Sequence, residues 1–133
     1  RLGMGSRLPA YATAPGRVLL AHSKPEALAR YFAAHELKPL TPATLATEQG
    51  LLGALDCIRH DGFAWVEGEF DPHVAGLAVP IYDENNQVAA AISANLLRSD
   101  FSREQAVQDV LPALRSASMQ LAGLAPSFLR GQG

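Results

Sequence analysis

Residues 63–97 read FAWVEGEFDPHVAGLAVPIYDENNQVAAAISANLL, and this stretch decides the fold. It predicts three consecutive strands, the first over residues 63–70 and the last two joined by a tight hairpin. Asn85 and Asn86 stand at the centre of the connection, and asparagine tolerates positive φ, so a two-residue primed turn is predicted there. The register that follows places Gly76 opposite Asn95, Ala78 opposite Ser93 and Val79 opposite Ile92.

Side chains alternate along a strand, so this register gives the hairpin two different faces. One is an ordinary core face, formed by Leu77, Val79, Ile81, Ile92, Ala94 and Leu96. The other, called the small face below, consists of Gly76, Ala78, Ala89, Ala91, Ser93 and Asn95. Small side chains leave a hollow on this face, and its few polar groups are typical of the lining of small-molecule sites. A helix packed closely on the small residues is the alternative, and spacing alone favours neither.

Size and composition predict one soluble globular domain. The chain has 133 residues, of which 48% are hydrophobic and 18% charged, with a net charge of −2. The absence of any Lys/Arg cluster argues against a nucleic-acid surface, and no apolar run reaches the roughly 20 residues of a membrane span. The single cysteine excludes an internal disulfide, and we expect a cytoplasmic location. Because the sequence opens with Arg1, we expect these residues to be part of a longer protein.

Capping patterns predict four helix starts, at Thr13, Ser23, Thr47 and Ser102. The third helix should run to about His60, and Pro112 should bend or split the last one. Residues 125–133 are expected to form a loose tail. Helices on either side of three antiparallel strands make an α+β domain.

No catalytic or metal-binding residue is predicted. The four histidines have no ligand spacing on one element, at positions His22, His35, His60 and His73. Cys57 lies beside an apolar helical stripe and is expected to be a buried structural thiol. Glu67 and Glu69 share a face of the first strand, where a solvated surface is a simpler explanation than paired carboxylate chemistry.

The turn around residues 13–17 is the start of a helix, and a helix N-terminus offers free N–H groups and a positive dipole end. If this turn meets the small face, a carboxylate would find donors on both sides. The alternative is a helix start that simply meets water.

Three runs of residues resemble one known family. They are GSRLPAYATAPGRVLLA at 5–21, TPATLAT at 41–47 and IRHDGFAWVEGEFDPHVAGLAVPIYDENNQVAAAIS at 58–93. Together they resemble the effector-binding domain of IclR-type bacterial transcription regulators, collinearly from about residue 5 to residue 121. The first run is most similar to regulators of aromatic-acid catabolism through the β-ketoadipate pathway.

The resemblance implies a GAF-like α+β fold, an antiparallel sheet flanked by helices on both sides. Residues 1–133 would be an effector-binding domain that lacks its first strands. Full-length members bind DNA through a preceding winged helix-turn-helix domain, which this chain does not contain, and they form homodimers or homotetramers. The implied partner is a small organic acid effector, with no cofactor, no membrane and no catalysis.

Carried over position by position, the family's ligand contacts fall on Leu8, Ala14, Pro15, Gly16, Val66, Val74, Gly76, Ser93 and Asn95. Ser93, Asn95 and the backbone of residues 14–16 would hold the carboxylate, and Leu8, Val66 and Val74 the apolar part. Pro15 has no N–H, which leaves the N–H groups of Ala14 and Gly16. The two valines favour a larger, partly aromatic acid. Arg17 and Arg98 are possible charge partners whose directions the sequence does not give.

Two other functions are compatible with the sequence. One is a stand-alone GAF-like sensor of a small molecule with an output other than DNA binding. The other is an enzyme that uses Cys57 or the Glu67/Glu69 pair.

Overall fold

The structure, a computed structural model, describes residues 8–124. The tail predicted at residues 125–133 lies outside this range. In chain order the elements are a 3₁₀ turn at Ala10–Ala12, α1 at Ala14–Ala21, α2 at Pro25–Ala34, α3 at Glu48–Asp61, β1 at Ala64–Glu67, β2 at Val74–Tyr82, β3 at Val88–Leu97, α4 at Arg103–Asp109 and α5 at Leu111–Leu124.

The three strands form one antiparallel sheet in the order β1-β2-β3. The predicted hairpin register is confirmed: Gly76 pairs with Asn95, Ala78 with Ser93 and Val79 with Ile92. On the other side of β2, Gly76 pairs with Val66. The small face therefore continues across all three strands.

Helices cover both faces of this sheet and divide the core in two. The α1-side core contains Val18, Leu51, Leu55, Val66 and Ala78. The α5-side core contains Leu77, Val79, Ala106, Leu111 and Leu114. This arrangement confirms the α+β architecture with helices on both sides of the sheet.

Local capping explains where α1, α3 and α4 begin. The Thr13 hydroxyl accepts a hydrogen bond from the Gly16 N–H, and the Thr47 hydroxyl accepts one from the Gly50 N–H. Ser102 forms the predicted capping box with Gln105. The closing helix is split at Val110, two residues before Pro112, as the proline predicts.

The predicted second helix start is wrong. The Ser23 hydroxyl donates back to the Leu19 carbonyl over 2.8 Å instead of capping α2. Helix α2 begins at Pro25 with Lys24 as a cap that makes no side-chain hydrogen bond. Proline at the first helical position has the φ that a helix needs, and this preference outweighs the capping box.

The first strand and the hairpin turn also differ from prediction. β1 ends at Glu67 because Gly68 takes a left-handed conformation, with φ +69°, which ends the pairing. In the hairpin, only Asn86 of the two asparagines has positive φ. The Asp83 carbonyl accepts from the Asn86 N–H, and the register shifts after Ile81, so the loop is longer than a two-residue primed turn.

Cys57 is exposed, which contradicts the predicted buried thiol. The buried stripe of α3 runs through Leu51, Leu55 and Ile58. Position 57 lies two residues after Leu55, about 200° around a helix of 3.6 residues per turn, and so on the opposite side.

Candidate ligand-binding site

A cavity of about 700 Å³ lies between the start of α1 and the small face of the sheet. It is called the site cavity below. Every position to which the resemblance assigns a ligand contact lines it: Leu8, Ala14, Pro15, Gly16, Val66, Val74, Gly76, Ser93 and Asn95. These residues come from the 3₁₀ turn region, α1 and all three strands, and the fold brings them to one place.

Strand pairing explains why the sheet residues of the site cavity meet. Val66, Gly76 and Asn95 form one row across β1, β2 and β3. Ser93 lies two residues from Asn95 on the same face, in the row of Ala78. The glycine at the centre of the first row leaves the space into which the neighbouring side chains open.

The start of α1 packs directly over that glycine. A Cβ built on Gly76 would lie 3.0 Å from the Ala14 Cβ, and 3.7 Å from both the Ala14 nitrogen and the Asn95 Oδ1. A backbone donor and a side-chain amide thus surround one point of the cavity. The small face combines the two predicted alternatives, close helix packing and a ligand hollow. Ala78 is fully buried beneath α1, while Ser93 and Asn95 line the hollow.

The N–H groups at the start of α1 are fewer than predicted. The Gly16 N–H already donates to the Thr13 hydroxyl over 3.3 Å, and Pro15 has no N–H. The Ala14 N–H stands at the first helical position, where no acceptor exists within the helix. The backbone therefore offers a ligand one first-turn donor, at Ala14, rather than two.

Arg17 is a structural residue at the wall of the site cavity rather than part of its lining. It is 3% exposed, its Nε donates to the Tyr11 carbonyl over 2.7 Å, and its guanidinium binds both carboxylate oxygens of Glu69. Glu69 also accepts from the Leu45 N–H over 2.8 Å. Arg17 therefore joins α1 to the segment that follows β1, and its charge is already compensated.

Arg98, the other predicted charge partner, also lies outside the lining. It pairs with Glu67 and donates to the Pro72 carbonyl over 2.7 Å. Glu67 and Glu69 consequently have separate partners, and the left-handed Gly68 between them ends the strand on which they were predicted to share a face. They do not form a carboxylate pair.

Eight lining residues of the site cavity lie outside the ligand contacts that the resemblance assigns. The apolar ones are Ala10, Ala12, Leu19, Phe70 and Ala91, and the polar ones are Thr13, Glu69 and Asp71. Alternation along β3 implies Ala91, since it lies on the predicted small face. Nothing in the sequence indicates residues 69–71, because their position depends on the turn at Gly68.

Metal-ligating side chains do not cluster in the described part of the chain. Within residues 8–124, no group of three or more His, Cys, Asp or Glu side chains converges as metal ligands do. His22 Nε2 is buried with no hydrogen-bond partner in that range. Burial, followed by the nearby charge of Arg59, lowers the pKa of His22 below its ordinary value of 6.5. The described helices include none that is long and apolar enough to cross a membrane.

An α+β domain with a mostly apolar cavity and a few convergent polar groups belongs to the class of small-molecule-binding domains. The family model for the bacterial transcriptional regulator IclR C-terminal domain matches residues 1–122. The chain therefore belongs to the IclR C-terminal family. Its fold is the GAF-like fold of that family.

Relatives of known role support this membership. The Pca regulon regulatory protein of Pseudomonas putida is 36% identical over 120 residues, which are 90% of this chain and 41% of that protein. The p-hydroxybenzoate hydroxylase transcriptional activator of Acinetobacter baylyi is 30% identical over 91% of this chain and 45% of its own length. The chain thus spans less than half the length of these curated relatives, which are regulators of transcription.

Solved structures give the same result. The inducer-binding domain of the PobR transcription factor from Acinetobacter, a double mutant in complex with 3-hydroxybenzoic acid, superposes with a TM-score of 0.84 at 30% identity. That match covers 92% of this chain and 69% of the other. IclR of Thermotoga maritima superposes with a TM-score of 0.81 at 28% identity, over 95% of this chain and 52% of the other.

Proposed function

We propose that this chain is the effector-sensing part of an IclR-type transcription regulator and that the site cavity binds a small, partly aromatic organic acid. The supporting observation is the convergence on one cavity of nine residues from five segments, the nine positions to which the resemblance assigns a ligand contact. Ser93, Asn95 and the Ala14 N–H would hold the carboxylate.

The apolar part of the ligand would lie against Leu8, Val66 and Val74. Burial of apolar surface contributes about 25 cal/mol per Å², so a ring gains more from these walls than a two- or three-carbon acid does. A volume of about 700 Å³ is within the usual range for drug-sized ligands. The relatives named for pca regulation and p-hydroxybenzoate hydroxylase activation, and the hydroxybenzoate-bound PobR domain, support an aromatic acid.

The effector would act by shifting the balance between arrangements of subunits. A ligand changes such an equilibrium only through a difference in its affinity for the two states. We infer a homodimer or homotetramer whose DNA contacts are made by a helix-turn-helix domain outside these residues. A cytoplasmic location and the lack of catalysis follow from that role. The family match gives no support to a stand-alone sensor with another output.

A thermal-shift screen tests the proposal. The panel is protocatechuate, 4-hydroxybenzoate, 4-hydroxycinnamate, phenylacetate, pyruvate, glyoxylate and muconate. An acid present at 100 times its Kd should add about 2.7 kcal/mol to the free energy of unfolding. We expect an aromatic acid to raise the melting temperature more than pyruvate or glyoxylate does.

The matched variants are Asn95→Leu in the site cavity and Asn85→Leu in the exposed hairpin loop. Asn95→Leu should weaken binding tenfold or more, which is about 1.4 kcal/mol, because it removes a hydrogen-bonding group beside Gly76. Asn85→Leu makes the same chemical change away from the cavity and should leave the Kd unchanged. Equal affinity in the two variants would contradict the assigned carboxylate contact.

A further inference from the structure

The two ends of the site cavity differ in polarity. One end holds hydrogen-bond donors, namely the Ala14 N–H and the side chains of Ser93 and Asn95. The other end is formed by residues 69–71, which leave β1 after the turn at Gly68. That end contributes two carboxylates, on Glu69 and Asp71.

Sheet pairing separates these two ends. Ser93 pairs with Ala78, and four residues further along β3 Leu97 pairs with Val74. The Gly68 N–H donates to the Val74 carbonyl, so the segment of residues 69–71 begins at this last row. At roughly 3.3 Å per strand residue, Ser93 lies about 13 Å from this row, and Asn95 and Gly76, over which Ala14 packs, lie about 7 Å from it. A ligand that reaches both ends must therefore be elongated.

The cavity wall between these two ends is apolar. Val66, in the row of Asn95, and Val74, in the last row, line it from the sheet, and Phe70 lines it from the segment after β1. Phe70 is 45% exposed, unusual for a phenylalanine, and its exposed area adjoins the cavity. An aromatic or unsaturated body of a ligand would cover it.

The two carboxylates at the far end are not equivalent. Glu69 is compensated by the guanidinium of Arg17. Asp71 is exposed, and its carboxylate accepts a hydrogen bond from the His73 N–H over 2.9 Å. Among the ion pairs of residues 8–124 none involves Asp71, and Arg98, which reaches the same loop at the Pro72 carbonyl, is paired with Glu67.

We propose that the site selects elongated monocarboxylic acids with a hydroxyl or similar neutral donor at the opposite end, and that Asp71 makes it reject dicarboxylic acids. This inference rests on the proposed function. The ligand's hydroxyl donates to the Asp71 carboxylate, while a second carboxylate there meets an uncompensated negative charge. Two like charges about 4 Å apart in water repel enough to change an affinity about fivefold, and more where the wall excludes water.

Three acids of one shape test this by isothermal titration calorimetry: 4-hydroxycinnamate, cinnamate and 4-carboxycinnamate. We expect the hydroxy acid to bind most tightly and the dicarboxylate at least fivefold more weakly than cinnamate. Asp71→Asn removes the charge and keeps the size, and it should at least halve the discrimination against the dicarboxylate. Asp109→Asn makes the same change on an exposed residue of α4, on the other side of the sheet, and should preserve the order.

Salt provides a second measurement on the unaltered protein. Repulsion between charges near the surface is screened as ionic strength rises, so the discrimination against the dicarboxylate should shrink between 0.02 M and 0.5 M salt, concentrations that span Debye lengths of about 20 Å to about 4 Å. The preference for 4-hydroxycinnamate over cinnamate comes from a short-range hydrogen bond in which only Asp71 is charged, so it should change less.

The outcomes separate the two proposals. Binding of the acids with equal affinity, or a preference that Asp71→Asn and salt leave intact, overturns the role of Asp71 while the effector cavity stands. Tight binding of the dicarboxylate overturns the selectivity itself. Failure of every acid, in this set and in the thermal-shift panel, overturns the proposed function together with the inference.

Discussion

Arg17 shows how a charged side chain is retained inside this small domain. Its guanidinium binds the Glu69 carboxylate and its Nε donates to the Tyr11 carbonyl. These contacts fix α1, the 3₁₀ turn and the segment after β1 relative to one another. Burial of a charge is costly unless it is paired and hydrogen-bonded. Both conditions are met here, and the pair maintains the wall between α1 and the segment after β1.

Replacing Arg17 should therefore destabilise the protein strongly. Arg17→Met leaves the Glu69 carboxylate, with a side chain only 12% exposed, without its partner, and we expect a loss of about 3 kcal/mol in the free energy of unfolding. The double variant Arg17→Met/Glu69→Gln should recover part of this loss because no uncompensated charge remains. Urea unfolding followed by circular dichroism measures both.

An exposed ion pair serves as the control. Asp56 pairs with Arg59 on the surface of α3, where water screens the interaction, so Asp56→Asn should cost about 1 kcal/mol or less and keeps the hydrogen bond from Arg59 to the Ala21 carbonyl. If Arg17→Met and Asp56→Asn cost the same, the Arg17–Glu69 pair is not the structural element described above.

At the scale of elements, two glycines show where the chain tolerates a side chain. A Cβ on Gly16 would lie 2.4 Å from the Ala10 Cα and 2.5 Å from the Ala10 oxygen, and backbone atoms cannot turn away. A Cβ on Gly53, in the middle of α3, would meet nothing within 4 Å. The close contact between Gly16 and Ala10 holds the 3₁₀ turn against α1, and Ala10 and Gly16 both line the site cavity.

The two Gly→Ala variants should have opposite effects. Gly16→Ala must push the 3₁₀ turn away from α1, and we expect a loss of about 2 kcal/mol together with weaker acid binding. Gly53→Ala should gain about 0.5 to 1 kcal/mol, because alanine loses less backbone entropy in a helix. Chemical denaturation and calorimetric titration give the two readouts. A Gly16→Ala protein as stable as the parent would show that the 3₁₀ turn can move away from α1 at little cost in free energy.

The strand register and the helix starts that depend on nearby residues were predictable from the sequence. The hairpin register depends only on where the turn is centred, so Gly76, Ser93 and Asn95 could be placed together although the turn itself is of another type. Thr13, Thr47 and Ser102 cap helices because their hydroxyls accept from an N–H a few residues ahead. At Ser23 the same pattern failed, because Pro25 decides where α2 begins.

The remaining part of the site cavity depends on tertiary contacts. Glu69 faces Arg17 across 52 positions of sequence, and neither local spacing nor alternation relates them. The left-handed turn at Gly68 redirects residues 69–71 toward the cavity, whereas a continued strand would have carried them along the sheet edge. Contributions of Phe70 and Asp71 therefore become visible only in the folded chain.

At the scale of the whole molecule, the sheet separates two cores with different tasks. The α1-side core supports the site cavity, since Ala14 and Val66 belong to both. The α5-side core packs Leu77, Val79 and Leu114 on the opposite face, and none of these three lines the cavity. Because side chains of one strand point alternately to the two faces, each core can be altered without direct contact with the other.

Stability and binding should separate accordingly. Leu114→Ala removes a buried side chain of the α5-side core and should cost about 3 kcal/mol, yet leave the Kd for a bound aromatic acid within about twofold. Leu55→Ala in the α1-side core should cost a similar amount and also weaken binding, because α3 supports α1 from behind. Urea unfolding and calorimetric titration, at a temperature where both variants are folded, distinguish the two. Equal losses of affinity would mean that the sheet transmits changes from one face to the other, and the α5 face would then be a candidate route from effector to DNA.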